Sequence, residues 1–240
     1  MVLTVQERQA LIKAISPNRL QTYTTAAAHT GCDVLDLYVW DRDLAAAAMA
    51  DVAILEVAMR NAMSIALERL ARRPDWYTVD IGLDNRSLKA VAKAWSEVPE
   101  ARRDPGRVVA QLMFGFWRNL LETGGAVGEG PRKSTTSYED LWRAEIHAAF
   151  PGGRAVAAAH GAHFTRSWTL SVVKEVHALR NRAAHHEPLV NGFPMPGESR
   201  RLTGTQGHRA CLRLAALLDR DLATWLAGNT HMARVLPSRP

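Results

Sequence analysis

Helical periodicity runs the length of this chain. Apolar positions recur at i, i+3, i+4 and i+7 in segment after segment, and the alternation of a half-buried strand is nearly absent. "VQERQALIKAIS" predicts a first helix. Ser16 and Pro17 open a second, which Gly31 closes. A short helix near Val34–Val39 precedes the longest one, from about Asp41 as N-cap to Arg73, with Pro74 just beyond. Further helices are expected from a cap near Asp84, over "DPGRVVAQLMFGFWRNLLETGG", and from a capping box of Ser137 with Asp140 to Pro151. Another runs from about Thr165 to His186, and the last, "QGHRACLRLAALLDRDLATWLAGN", is closed by Gly228. The pattern predicts an all-α fold of about eight helices in a single domain over residues 1–240. Its core spans about 5–225, and a glycine-rich flexible loop lies at about 124–136. The helices ending near Arg73 and His186 are expected to form the central antiparallel pair.

Composition narrows the class. Hydrophobic residues make up 47% of the chain, enough for a large core. Most of the seven tryptophans should anchor that core or an interface. The two cysteines, Cys32 and Cys211, form no CxxC pair, so a disulfide scaffold is excluded and a reducing cytoplasm fits. "MVLTVQERQALIKAIS" lacks the pattern of a signal peptide. No apolar run approaches the ~20 residues of a membrane span, so no membrane partner is expected. The net charge of +6 favours polyanions, although an Arg- and Ala-rich, Lys-poor chain also arises from codon bias alone.

One stretch breaks the apolar pattern. "HALRNRAAHHEPL", His177 to Leu189, crowds two arginines, an asparagine and three histidines onto a helix that begins apolar. On a wheel at ~100° per residue with Arg180 at zero, His177, Asn181 and His185 fall between ~60° and ~140°. Val172, Val176, Leu179 and Ala183 fall between ~260° and ~320°. One face packs and the other carries a polar cluster. His186, near ~240°, sits at the edge of the apolar face and is expected to pack or bond a carbonyl. Pro188 disfavours the helical conformation just before it, so the helix should fray or end near His186–Glu187 and leave His185 free to move protons.

Arginine, asparagine and histidine without a carboxylate pair suit a phosphodiester. Arg binds phosphate and stabilises developing charge, His moves the proton of a ribose 2′-hydroxyl, and Asn orients phosphate or imidazole. The plainer alternative is a structural hydrogen-bond network between helices.

"RNRAAHHEPL" resembles the C-terminal signature of the Abi-like (abortive infection) family of the HEPN superfamily, with Arg180, Asn181 and His185 in its Arg–polar–His pattern. "LEVAMRNAM", with Glu56, Arg60 and Asn61, resembles the family's first conserved helix. "LMFGFWRNLL" resembles its central segment, and Trp142 with Phe150-Pro151 its "W…FP" region. The resemblance spans roughly residues 5–225. It implies a HEPN-like helical bundle, a homodimer with facing motifs, and metal-independent RNase activity in phage defence or a toxin–antitoxin system. RNA would be the partner, with an antitoxin or small regulatory RNA as restraint and no cofactor. On this basis Arg180, Asn181 and His185 are the expected catalytic residues, supported by Glu56, Arg60, Asn61, His177 and His186. Glu187 stands where some HEPN toxins carry a tyrosine that an antitoxin modifies, which argues against that mode of restraint.

Other features carry less. Glu56 and Arg60, at i and i+4, can pair with each other, or Glu56 can hold Arg180. "FGFW" (Phe114–Trp117) is expected in the core rather than as a base-stacking platform, with Gly115 allowing close helix approach. Arg132-Lys133 in the glycine-rich loop, like Arg200-Arg201, suits a solvated spacer better than an RNA contact. His147, His160 and His163 lack metal-ligand spacing.

Overall fold

A computed structural model describes residues 4–240, apart from the Arg132 side chain. The fold is all-α, with two minimal β-ribbons. Helices α1 (Val5–Ala14) and α2 (Pro17–Thr30) lead into α3 (Val34–Ala71), which is followed by α4 (Asn85–Glu97), α5 (Pro105–Gln111) and α6 (Phe114–Asn119). A ribbon of β1 (Ala126–Val127) and β2 (Ser134–Thr135) precedes α7 (Tyr138–Ala144), α8 (Gly153–Ala159) and α9 (Arg166–Ala184). A second ribbon, β3 (Phe193–Pro194) with β4 (Arg201–Leu202), leads to α10 (Gly204–Leu218), α11 (Arg220–Asn229) and α12 (Met232–Val235). Helix α3 packs on both α9 and α10, and α9 and α10 pack on each other. No described helix is long and apolar enough to cross a membrane.

Helix α3 is one unbroken rod of 38 residues, about 57 Å long at 1.5 Å per residue. It absorbs the short helix expected before it. Its N-cap is Asp33, whose carboxylate accepts from the N–H groups of Leu35 and Asp36, so Asp41 does not cap it. Asp41 is buried inside the helix, and its carboxylate serves two distant groups instead. It accepts from the Tyr23 hydroxyl (2.7 Å) and from the Leu189 N–H (3.0 Å). Asp51 is also buried, and accepts from the Thr230 hydroxyl and from the N–H groups of His231 (2.8 Å) and Met232 (3.1 Å).

The expected "FGFW" helix breaks after Gln111 into α5 and α6, with Leu112 extended between them. Likewise Asp219, extended, divides α10 from α11 and caps the second of these through its carboxylate. Ser137 accepts only from the Glu139 N–H, so the box with Asp140 does not form; complete capping boxes stand at Thr4–Glu7 and Thr203–Gln206. Of the tryptophans, Trp40, Trp76, Trp117 and Trp142 are buried, while Trp95 and Trp225 are exposed. Phe114, Phe116 and Trp117 are buried, as expected of "FGFW".

The glycine-rich stretch is tied to α4. Asn85 exchanges two hydrogen bonds with the Gly128 backbone (2.9 and 3.0 Å). Gly124, at φ +93°, lies so close to the Thr136 carbonyl that a Cβ would meet it at 2.3 Å. The buried Tyr138 hydroxyl joins Ser87 Oγ (2.7 Å) and the Asp84 N–H (3.1 Å), which fixes the start of α4 against α7.

Asp51→Ala strips three donors of their buried acceptor. We expect a loss of about 2–4 kcal/mol, seen in urea denaturation as a lower midpoint with an unchanged slope.

Candidate functional site

The C-terminal half of α9, the first turn of α6 and one face of α4 enclose a cavity of about 550 Å³. His177, Arg180, Asn181 and His185 all line it, so the polar face of the wheel points into one space. Phe114, Gly115 and Phe116 supply the wall from α6, and Arg86 and Lys93 come from α4. Three cationic side chains, Arg86, Lys93 and Arg180, face one lining carboxylate, Glu97. The lining therefore carries a net positive charge that favours an anion.

Glu56 builds this wall from behind. One carboxylate oxygen accepts from the Phe114 N–H at 3.0 Å, capping a helix whose own N-cap, Met113, offers no side-chain acceptor. The other oxygen stands 3.8 Å from Arg180 Nε, an ionic contact too long for a hydrogen bond. Glu56 thus couples Arg180 to the start of α6, and it does not pair with Arg60. Arg180 Nε is buried without a hydrogen-bond partner. The guanidinium makes no hydrogen bond with any described residue, so its donors are unpaired at the cavity.

His177 is held on three sides. Its ring stacks on Phe114, with centroids 5.2 Å apart and planes 10° from parallel. Nδ1 faces Arg118 at 3.5 Å and Nε2 faces the Asn181 amide at 3.3 Å. Arginine only donates, so Nδ1 must accept. Nε2 then carries the proton, and it bonds Asn181 once the amide is turned to present its oxygen in place of the Nδ2 that faces the ring. Burial first, and then the charges of Arg118 and Arg180, lower the His177 pKa to about 4. The ring is neutral at neutral pH and positions Asn181.

His185 is exposed at the cavity, and its ring makes no hydrogen bond with a described residue. The helix end beneath it is not frayed. The N–H groups of His185, His186 and Glu187 donate to the carbonyls of Asn181, Ala183 and Arg182 at 3.0, 3.1 and 2.9 Å. The last two bonds form a Schellman motif. Arg182 closes it further by donating to the Pro188 carbonyl (3.1 Å) and pairing with Glu187 (2.6 Å).

The remaining expected residues lie elsewhere. His186 follows the helix at φ +54°, is exposed, and lines a different cavity, so it neither packs on the apolar face nor bonds a carbonyl. Arg60 and Asn61 line a third, smaller hollow beside α5, where Arg60 reaches the Ala110 carbonyl at 3.5 Å. Of Arg132-Lys133, the Arg132 side chain lies outside the described residues and Lys133 is exposed. A Cβ on Gly115 would meet His177 only at 3.9 Å, so close helix approach does not require that glycine.

Sequence reasoning missed Arg118, Arg86 and Lys93. Arg118 lies within the quoted "FGFWRN", yet nothing local shows that it meets a histidine 59 positions later. Arg86 and Lys93 share a face of α4 at i and i+7, a spacing that was available to find them.

No family model, curated protein or solved structure matches this chain.

The His177 geometry fixes a pH dependence. The unfolded imidazole takes a proton near its ordinary value of 6.5, the folded one only near 4. Between these values the unfolded chain binds more protons, so stability is full above about 6.5 and falls as the pH drops toward 4. Urea midpoints from pH 7 to 4 should fall further for the wild type than for His177→Gln, and parallel curves would contradict this assignment.

Proposed function

We propose that the protein is a metal-independent endoribonuclease of HEPN type. The observation that carries the reading is the convergence of Arg180, Asn181 and His185 in one cationic cavity. The resemblance of "RNRAAHHEPL" to the Abi-like signature supports it from the sequence side.

In this scheme the unpaired Arg180 donors bind the non-bridging oxygens of the scissile phosphate, which gain charge as the ribose 2′-oxygen attacks. His185 takes the 2′-hydroxyl proton, or delivers one to the departing 5′-oxygen. Breaking the P–O5′ bond leaves a 2′,3′-cyclic phosphate and a 5′-hydroxyl. Asn181, held by neutral His177, orients the phosphate, and Glu56 positions Arg180. By family analogy the working form is a homodimer in which a second motif faces the first. Phage defence or a toxin–antitoxin pair, in the cytoplasm, is the corresponding role, with an antitoxin or regulatory RNA restraining the enzyme. Glu187 is paired with Arg182 and is not a tyrosine, so the restraint would not act by tyrosine modification.

One observation favours a second reading, a non-catalytic RNA-binding module or the scaffold of a defence complex: no described group orients the His185 ring.

RNA cleavage in EDTA with mapped product ends separates the two. For the enzyme, cyclic phosphate ends appear, His185→Ala slows cleavage by about 10²–10⁴-fold while keeping RNA affinity, and Arg180→Ala loses both. A folded wild type that binds RNA without cutting it, and a His185→Ala variant that behaves identically, would give the binding module.

A further inference from the structure

A separate cavity of about 480 Å³ lies between α2, α3 and the end of α9, and shares no lining residue with the Arg180 cavity. It falls within the size range of pockets that enclose small ligands. Ala45, Ala46, Ala183 and Ala184, together with Met49, give it an apolar floor. Tyr23 and Tyr38 give it an aromatic wall, their rings edge to face with centroids 5.0 Å apart.

Most of its charged groups are already committed. Arg42 pairs with Asp43 and Glu187 with Arg182. The buried Asp41 carboxylate is occupied by the Tyr23 hydroxyl and the Leu189 N–H. What remains is a set of donors. Arg19 has no carboxylate within ion-pair distance and makes no side-chain hydrogen bond among the described residues. Burial raises the pKa values of Tyr23 and Asp41 above their ordinary values, and the nearby Arg19 charge offsets part of that rise for both. The Tyr38 hydroxyl and the His186 ring also have no described partner. His186 is held beside the cavity by a left-handed backbone, φ +54°, which side chains other than glycine seldom adopt. A pocket with an apolar floor, an aromatic wall and unpaired donors that include a guanidinium suits an anion joined to an unsaturated ring.

We propose that this cavity is a second ligand site, distinct from the Arg180 cavity, for a small molecule that carries one anionic group on a flat unsaturated ring. The anionic group is held by Arg19 with His186 and Tyr38, and the ring lies between the alanine floor and the tyrosine wall. The site does not depend on the ribonuclease reading. An aromatic carboxylate has this chemistry directly, and a nucleoside monophosphate has it with a ribose between the phosphate and the ring.

Titration of the full chain with 8-anilinonaphthalene-1-sulfonate, an aromatic anion that fluoresces on leaving water, tests the site without RNA. We expect a saturable site that is weakened about tenfold by Arg19→Gln and abolished by Ala46→Trp, which fills the cavity, whereas dye bound in the Arg180 cavity is unmoved by either change. Ala46 is exposed, so the core need not accommodate the indole. Should that variant fold poorly, Arg19→Gln alone decides. Displacement of the dye by AMP assigns a nucleotide, and displacement by benzoate but not AMP assigns an aromatic carboxylate. Non-saturable binding, binding unchanged in Arg19→Gln, or failure of both competitors would each overturn the proposal.

Discussion

Acidic side chains on the central helix hold the rest of the molecule in register. Asp41 takes the backbone N–H of Leu189, Asp51 those of His231 and Met232, and Glu56 that of Phe114. Each carboxylate thereby anchors a segment more than 50 residues away in sequence. Burying a carboxylate costs several kcal/mol unless donors replace its water. The fully buried pair, Asp41 and Asp51, each meet two or three donors. Such an arrangement tolerates no slip of the loop along the helix, because a shift of one residue would leave both the carboxylate and the displaced N–H unpaired. Apolar packing drives α3, α9 and α10 together, and these anchors specify which residues meet.

The candidate site is a product of the same constraint. Glu56 is only partly buried, and its two oxygens divide between a structural and a chemical task. One caps the start of α6 at Phe114, and the other lies beside Arg180 without satisfying it. The α6 cap therefore fixes where the stacked pair Phe114–His177 can sit, and His177 in turn sets Asn181. A chain of contacts links the start of α6 to the polar face of α9, although 60 residues and several elements separate them. Burial and two nearby arginines keep His177 neutral. Among the histidines of the motif stretch, His185 is the exposed one in the Arg180 cavity.

How much of this was legible depended on how local the governing interaction is. Ser16 with Pro17, Asp84 and Thr165 start helices through bonds to residues three positions away, and sequence alone identified all three starts. Asp41 resembled a cap for the same reason, since aspartate ahead of an apolar run is the usual signal. The evidence against it was also in the sequence. Leu37, Asp41, Leu44 and Ala48 follow helical spacing on one face, and all four are buried. An acid on an apolar stripe signals a buried anchor rather than a cap. The Glu56–Arg60 pairing failed differently. The i, i+4 rule compares only neighbours on one helix, whereas a backbone N–H arriving from another element competes for the carboxylate and wins. The wheel correctly gathered His177, Arg180, Asn181 and His185 into one cavity, because those four lie within regular helix or at its cap. It misplaced His186, because the wheel stops applying once the backbone turns left-handed.

That turn gives the motif its division of labour. In a continuing helix, His185 and His186 would stand ~100° apart on one rod. The Schellman closure turns His186 out of the helical path, and the adjacent histidines line two separate cavities. The two arginines divide as well. Arg180 makes no hydrogen bond with a described residue, while Arg182 donates to Glu187 and the Pro188 carbonyl and locks the turn. The αL backbone at His186 is strained for a side chain other than glycine, and the surrounding bonds must hold it there. Those bonds run from Arg182 to the turn, and from Asp41 to Leu189 two residues on from Glu187. The central helix thus fixes the orientation of the chemical end of α9 as firmly as it fixes the core.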